Sequence, residues 1–278
     1  MSILITGVTG HLGKILFKNI LKSKKNFLLT YNKKKIETKK KNIFWIKKNI
    51  LDKKKIYYKN FKAPETLLHL AWNGLDLKNY NSDIHIRQVN FHLNFIEELI
   101  KSGTRNIIVV GTCFEYGDYS GKISENFKTK PITKYGKAKD DLRKKIEKLK
   151  SKYQFNLIWL RVFYFYGGPN YKNDLWGNFN LAIKNKEKFF EIKNKKILRD
   201  YLHIKDVVKI IWKLLFFDKD LGIVNICSNK PVSVDSLVKK WIKNSKIKIK
   251  IKYATEKVIH HEKKNYWGSN KKLNSVFK

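Results

Sequence analysis

Tyr135 and Lys139 stand four residues apart in Tyr135-Gly136-Lys137-Ala138-Lys139. On a helix that spacing puts both side chains on one face. A free tyrosine, with a pKa of about 10, exchanges its proton poorly at neutral pH. A nearby ammonium favours the phenolate and draws that pKa towards the working range. The pair therefore reads as an acid–base couple acting on an oxygen. A further hydroxyl, Thr112, sits just past a predicted strand in Val110-Gly111-Thr112-Cys113-Phe114-Glu115-Tyr116-Gly117.

A second group of residues lies near the N-terminus. Thr6-Gly7-Val8-Thr9-Gly10-His11-Leu12-Gly13 joins a strand candidate, Ile3–Thr6, to a helix candidate, Leu12–Leu21, whose leucines and isoleucines share one face. Gly7, Gly10 and Gly13 have the spacing GxxGxxG. Such glycines allow a tight turn, close approach of a pyrophosphate, and packing of helix on strand. The helix N-terminus adds free N–H groups and the positive end of its dipole. The turn reads as a dinucleotide cradle. The second strand candidate, Phe27–Tyr31, is followed by Asn32 and Lys33, where NAD sites usually carry an acid for the ribose 2′-hydroxyl. Asn32 and Lys33 suit a 2′-phosphate instead, so the expected cofactor is NAD(P)(H), with NADP favoured. Asn49 and Ile50, after the third strand, are placed beside the adenine.

These residues need a scaffold that gathers them. Further strand candidates are Ile43–Ile46, Thr66–Leu70, Asn106–Val110 and Leu157–Val162, and Asp83–Lys101 and Lys134–Ser151 read as helices. Continuous apolar strands alternating with helices predict a parallel sheet covered on both faces, a doubly wound α/β fold of Rossmann type. Parallel sheets bind ligands at the carboxyl ends of their strands, which would bring Gly7–Gly13, Thr112 and Tyr135 to one edge. Beyond residue 165 the pattern changes. Leu175–Asn185, Ile204–Phe217 and Ser233–Asn244 read as helices, with short strands at Val224–Cys227 and Lys246–Lys252. The expected organisation is an NAD(P)-binding domain over 1–165 and a smaller C-terminal α+β substrate lobe over 166–278. The two are interleaved and do not fold separately.

The 278 residues carry 61 Lys+Arg against 23 Asp+Glu, a formal net charge of +38. Such a charge invites a nucleic-acid or membrane-surface reading. Only Arg87, Arg105, Arg143, Arg161 and Arg199 are arginines, so 61 less these five leaves 56 lysines. Specific reading of bases and phosphates leans on the arginine fork. A spread of lysines is a solvated surface, and no specific nucleic-acid partner is expected. The 42% hydrophobic content fills a core and excludes a disordered polycation. Two cysteines, Cys113 and Cys227, exclude a disulfide framework and fit a reducing compartment. No basic leader precedes the first strand and no segment approaches the roughly 20 apolar residues of a spanning helix. A cytoplasmic protein without membrane insertion is expected.

Other candidates carry less. His260-His261 lacks the acid or cysteine partners of zinc spacing, and no metal is expected. Cys113 reads as a small packing residue and His69 as a core residue at a strand end. The tryptophans scatter without period and read as core. Trp72, which follows the fourth strand, is the exception and is placed beside the cofactor.

Taken in order, these motifs resemble the extended short-chain dehydrogenase/reductase group, the NAD-dependent epimerase/dehydratase family. The resemblance covers nearly the whole chain. It rests on Thr6–Gly13, His69-Leu70-Ala71-Trp72, Thr112 with Glu115-Tyr116-Gly117, and Tyr135 with Lys139. It continues through Leu160–Phe163, Tyr166-Gly167, Arg199–Val207, Asn225–Ser228 and Pro231–Val234. It implies that Thr112 hydrogen-bonds the sugar O4, that Tyr135 moves the proton, and that Lys139 holds the nicotinamide ribose. It places Leu70, Ala71 and Phe163 beside the cofactor and pairs Arg199 with the substrate's diphosphate. The family's sugar 4,6-dehydratases carry Thr-Asp-Glu where this chain has Thr112-Cys113-Phe114, which argues against elimination of water. The nearest branch resembles reductases of nucleotide-linked 4-keto-6-deoxy sugars. A 4-epimerase with tightly held NAD is the competing expectation, and a non-catalytic nucleotide- or RNA-binding protein on the same fold is the third. A homodimer through the helices at Asp83–Lys101 and Lys134–Ser151 is usual in the family.

Overall fold

Alternation along the first strand decides which residues face which layer. In β1 (Ser2–Thr6), Ile3 and Ile5 join a core with the first helix, whereas Leu4 joins a core on the opposite face. The computed structural model describes residues 2–52, 63–168, 174–193, 195–245, 247–254 and 265–277. After β1 come α1 (His11–Lys22), β2 (Asn26–Tyr31), β3 (Ile43–Lys47), β4 (Thr66–His69), α2 (Ile84–Lys101) and β5 (Asn106–Thr112). Next are β6 (Gly121–Ile123), α3 (Lys134–Leu149), β7 (Asn156–Val162), β8 (Tyr164–Tyr166), α4 (Leu175–Lys184), β9 (Phe189–Ile192) and β10 (Leu198–His203). The chain closes with α5 (Ile204–Leu214), β11 (Gly222–Ile226), β12 (Pro231–Ser233), α6 (Val234–Ser245), β13 (Lys250–Tyr253), β14 (Tyr266–Gly268) and α7 (Lys271–Val276). Single 3-10 turns stand at Leu77–Asn79 and Cys113–Glu115.

The central sheet has seven strands in the order β11-β7-β5-β4-β1-β2-β3, and every pairing in it is parallel. The order reverses between β1 and β4, the switch point of a doubly wound sheet. Leu16, Phe17 and Ile20 of α1, with Val207, Ile211 and Leu214 of α5, cover one face. Val89, Ile96 and Leu99 of α2, with Leu142 and Ile146 of α3, cover the other. The Rossmann-type α/β reading holds.

Two differences from the sequence reading matter for the site. First, β5 extends to Thr112, because Gly111 and Thr112 continue the ladder opposite Arg161 and Val162 of β7. Thr112 is therefore the last strand residue rather than one beyond it. Second, β11 and α5 lie beyond residue 165 yet belong to the sheet and its core. The C-terminal part is threaded through the nucleotide-binding layer. What remains as a lobe is α4, β9, α6 and β13, packed around Phe179, Phe190 and Trp241. There the last strand is Lys250–Tyr253, shorter than expected, and it pairs with β9.

Candidate active site

The carboxyl ends of β1, β4 and β5 open into a cleft of ≈ 840 Å³ at the switch point. One wall comes from the glycine turn, the other from β5 and α3, and the far end from the lobe through Leu175, Ile192 and Val234.

Backbone contact builds the cradle. Gly7 has φ +72°, a left-handed conformation, and a Cβ there would lie 2.6 Å from the Ala71 nitrogen. A Cβ on Gly13 would lie 2.4 Å from the Gly7 carbonyl oxygen. Gly10 caps α1 without a side-chain acceptor, and no acid stands in the first turn. The N–H groups and positive dipole end of α1 are thus left for a phosphate. The His11 Nε2–H donates to the Gly167 carbonyl at 3.0 Å, tying the turn to the segment after β8. Leu12, Asn32, Asn49, Ile50, Leu70 and Ala71 all line the same groove. So do Trp72 and Phe163. These features fit a dinucleotide.

Thr112 is fixed by a buried carboxylate beneath it. Glu115 is 0% exposed and accepts from the Thr112 N–H at 2.8 Å, from Trp159 Nε1–H at 2.9 Å and from Arg161 Nε–H at 2.8 Å. The Thr112 Oγ in turn accepts from the Phe114 N–H at 3.3 Å, which completes a reciprocal cap. Gly111 makes this possible, since a Cβ there would lie 2.4 Å from Glu115 Oε1. Glu115 of the Glu-Tyr-Gly run is therefore the footing of Thr112, while the Tyr116 hydroxyl donates to Asn225 Oδ1 at 2.7 Å.

Tyr135 enters from the first turn of α3, whose N-cap Thr133 accepts from the Gly136 N–H at 3.0 Å. The Tyr135 N–H donates to the Tyr80 carbonyl at 2.9 Å, and the two rings stack at 5.3 Å. Thr112, opposite Tyr135 on the cleft wall, favours the ionised phenol, against the larger effect of burial. Lys139, four residues on, is 2% exposed and donates from Nζ to the Val110 carbonyl at 2.9 Å. Thr112, Tyr135 and Lys139 all line the cleft. Their protonation departs from the sequence reading. Burial pushes the Tyr135 phenol well above its usual value, and the Tyr80 phenol adds to that. Burial lowers the Lys139 ammonium to about 7, with Glu115 opposing. The phenol is thus held protonated rather than drawn down, because both groups have left water.

Sequence reasoning missed the polar chain below the cleft. Thr6 Oγ bonds His69 Nδ1 at 2.8 Å, His69 Nε2 bonds His92 Nδ1 at 2.8 Å, and His92 Nε2 bonds Gln88 Oε1 at 3.2 Å. The Gln88 amide is itself oriented by Asn73, donating to its carbonyl at 3.1 Å and accepting from its N–H at 3.2 Å. That pairing makes Oε1 an acceptor, so His92 carries its proton on Nε2. His69 then carries its own on Nε2, and Thr6 donates to Nδ1. Burial holds His69 down to about 3 and His92 well below the usual imidazole range, so both are neutral. Gln88 and His92 are i, i+4 on α2, which was the available signal.

Two expected residues stand apart from the cleft. Lys33 is exposed and outside its lining. Arg199 is 3% exposed and also outside the lining. Its guanidinium lies over the Tyr266 ring at 4.7 Å, and it donates to the Tyr164 hydroxyl at 3.3 Å and the Leu198 carbonyl at 2.9 Å. Its neighbour Asp200 makes no surface pair with it. That carboxylate is buried and accepts from Ser228, Asn229 and Gly268 N–H groups. Cys113 is buried, its thiol pushed up to about 12, and it packs as expected. His260-His261 lies outside the described residues. Among the described residues no cluster could hold a metal, and no helix is long and apolar enough to cross a membrane.

Comparison with known proteins places this geometry. The sequence profile of the NAD dependent epimerase/dehydratase family matches residues 3–227. The dTDP-6-deoxy-L-talose 4-dehydrogenase (NAD(+)) of Aggregatibacter actinomycetemcomitans is 30% identical over 278 residues, covering 97% of this chain and 100% of that protein. Among solved structures, the UDP-N-acetylglucosamine 4-epimerase of Methanobrevibacter ruminantium M1 superposes with a TM-score of 0.87 at 17% identity, over 99% of this chain and 91% of that one. The UDP-glucose 4-epimerase of Thermotoga maritima gives 0.81 at 20% identity, over 99% and 92%. With its glycine cradle, its Thr112–Tyr135–Lys139 wall and a profile match across most of its length, this chain belongs to the NAD-dependent epimerase/dehydratase family.

Proposed function

We propose that the protein is an NAD(H)-dependent oxidoreductase acting at C4 of a nucleoside-diphosphate 6-deoxy sugar, by 4-keto reduction or the reverse dehydrogenation. The observation that carries this reading is that Thr112, Tyr135 and Lys139 line one wall of the cleft that the glycine turn opens. The 4-dehydrogenase relative, matched end to end, supports C4 as the reacting carbon. The bound nicotinamide supplies or accepts the hydride. Tyr135, kept protonated by burial, holds the proton that a carbonyl oxygen needs to become a hydroxyl. Thr112 would steady the same oxygen, and Lys139 would hold the nicotinamide ribose. Cys113 and Phe114 stand where dehydratases of the family carry acids, so elimination lacks its acid pair. NAD(H) is the proposed form: of Asn32 and Lys33, the basis for a 2′-phosphate, only the uncharged Asn32 lines the cleft. Exposed Ile84 and Ile86 on α2 support a homodimer through α2 and α3.

The test is oxidation of NADH, beside NADPH, against a panel of nucleotide-linked 4-keto-6-deoxy sugars. Stoichiometric NADH loss with one of them is the expected result. Turnover of a 4-hydroxy nucleotide sugar with co-purified NAD and no added cofactor would instead establish a 4-epimerase. Loss of neither cofactor with any substrate would sink the oxidoreductase reading. Tyr135→Phe is expected to bind NADH normally and lose 10²–10⁴-fold in turnover, roughly the worth of a positioned acid.

A further inference from the structure

The Lys139 amine sits in a dry place without a carboxylate partner. Among the described residues no ion pair includes it, and its one hydrogen bond there is to the Val110 carbonyl. What lies against it is Trp72. The Lys139 Nζ stands 3.9 Å from the centre of the Trp72 ring, well inside the reach of a cation–π contact. The indole is itself held. Trp72 is 9% exposed and stacks on His92 at 4.6 Å with the planes 19° apart. Its Nε1–H donates to His85 Nδ1 at 3.0 Å, and His85 Nε2–H donates to the Asn79 carbonyl at 3.0 Å. Because Nδ1 accepts from the indole, His85 is a neutral imidazole with its proton on Nε2.

We propose that Trp72 is a positioning residue for Lys139, its ring face carrying the buried ammonium and its N–H pinned through His85 to the turn at Asn79. The next residue, Tyr80, stacks on Tyr135, so one chain of contacts fixes both partners of the acid–base pair. The role of Lys139 rests on the function proposed above; the arrangement of Trp72 does not. The groups facing Lys139 are Glu115 from the turn after β5, His69 from β4, His85 and His92 from α2, and Tyr135 from its own helix. The histidines are neutral, and Glu115 is engaged by Arg161. The ring face is therefore the adjustable term in the stability of the Lys139 charge, and it acts in the same direction as Glu115.

The experiment needs neither substrate nor cofactor. Lysines are labelled with ¹³C at Cε and the protein is titrated by NMR, the Lys139 resonance being identified by its loss in Lys139→Arg. Growth on difluorotryptophan thins the electron density of the ring face while nearly keeping its size. The Lys139 midpoint is then expected to fall by about half a pH unit, part of the usual worth of a cation–π contact. In Trp72→Phe, fluorination of the remaining tryptophans is expected to leave the midpoint unmoved. An unmoved midpoint in the fluorinated native sequence overturns the proposal by itself, whether or not Trp72→Phe folds. An equal fall in both chains overturns it as well. Failure of the functional reading, seen as no turnover of any nucleotide sugar, leaves this titration untouched.

Discussion

Glu115 sits in the middle of the family-like run Phe114–Gly117, yet it never reaches the cleft. Its carboxylate is fully buried, takes N–H groups from Thr112, Trp159 and Arg161, and has Arg161 Nε at 2.8 Å as its nearer ion partner and Arg143 Nε at 3.9 Å as its farther one. Two charges that have left water are tolerable only while each satisfies the other. Glu115→Gln keeps the shape and an acceptor for Thr112 but strands the Arg161 guanidinium. The expected cost is about 3–5 kcal/mol, read as a lower urea midpoint at unchanged slope. A loss under about 1 kcal/mol would mean that Arg161 finds its stabilisation elsewhere. The same variant is expected to lower turnover, because Thr112 loses the anchor on its N–H.

Between elements, the polar chain Thr6–His69–His92–Gln88 joins β1, β4 and α2 beneath the groove. Its histidines are neutral when folded, and His69 titrates only at about 3. An unfolded histidine titrates at about 6.5. Between those values the unfolded chain binds more protons than the folded one, so stability falls as pH falls. From pH 6.5 to 5 the loss from His69 is about 1.6 kcal/mol, the slope rising from half of about 1.4 kcal/mol per unit towards the whole of it. Denaturant unfolding at the two pH values measures it, and His69→Asn is expected to show the shallower slope. Equal slopes would refute the assignment. This chain also marks where sequence reading stops. β1, β2, β4 and β7 are continuous apolar runs, α1 to α3 carry periodic apolar faces, and their residues state their own structure. The glycine cradle and the Tyr135–Lys139 pair were legible for the same reason, being close in sequence. The extension of β5 to Thr112 depends on a ladder with β7 some 50 residues away. The membership of β11 in the main sheet, and the pairing of three-residue β6 with β14, depend on partners still farther off. Arg199 shows the same limit: its rarity among lysines suggested a ligand, and its packing against Tyr164 and Tyr266 depends on residues far off in the sequence.

For the molecule as a whole, the +38 charge has to be weighed against where its cations lie. Arg143, Arg161 and Arg199 are 7%, 1% and 3% exposed, and Arg143 is held by Asp140 and Glu147. Three of the five arginine forks are therefore spent on the fold, leaving Arg87 and Arg105 at the surface. The lysines that crowd the loops are point charges without the geometry to read a base edge. Contact of such a surface with nucleic acid is counterion release and little else, and its strength must collapse with salt. Binding to short labelled duplexes, followed by fluorescence anisotropy, is expected to be the same for unrelated sequences. It should weaken by about 10³-fold or more between 50 and 200 mM salt, the fall expected when some six or more phosphates are engaged. Cofactor binding in the cleft should vary far less over that range, since backbone N–H groups and close packing contribute alongside charge. A duplex preference that survives at 200 mM would show that the surface lysines are arranged for a ligand, and would reopen the nucleic-acid reading of this fold.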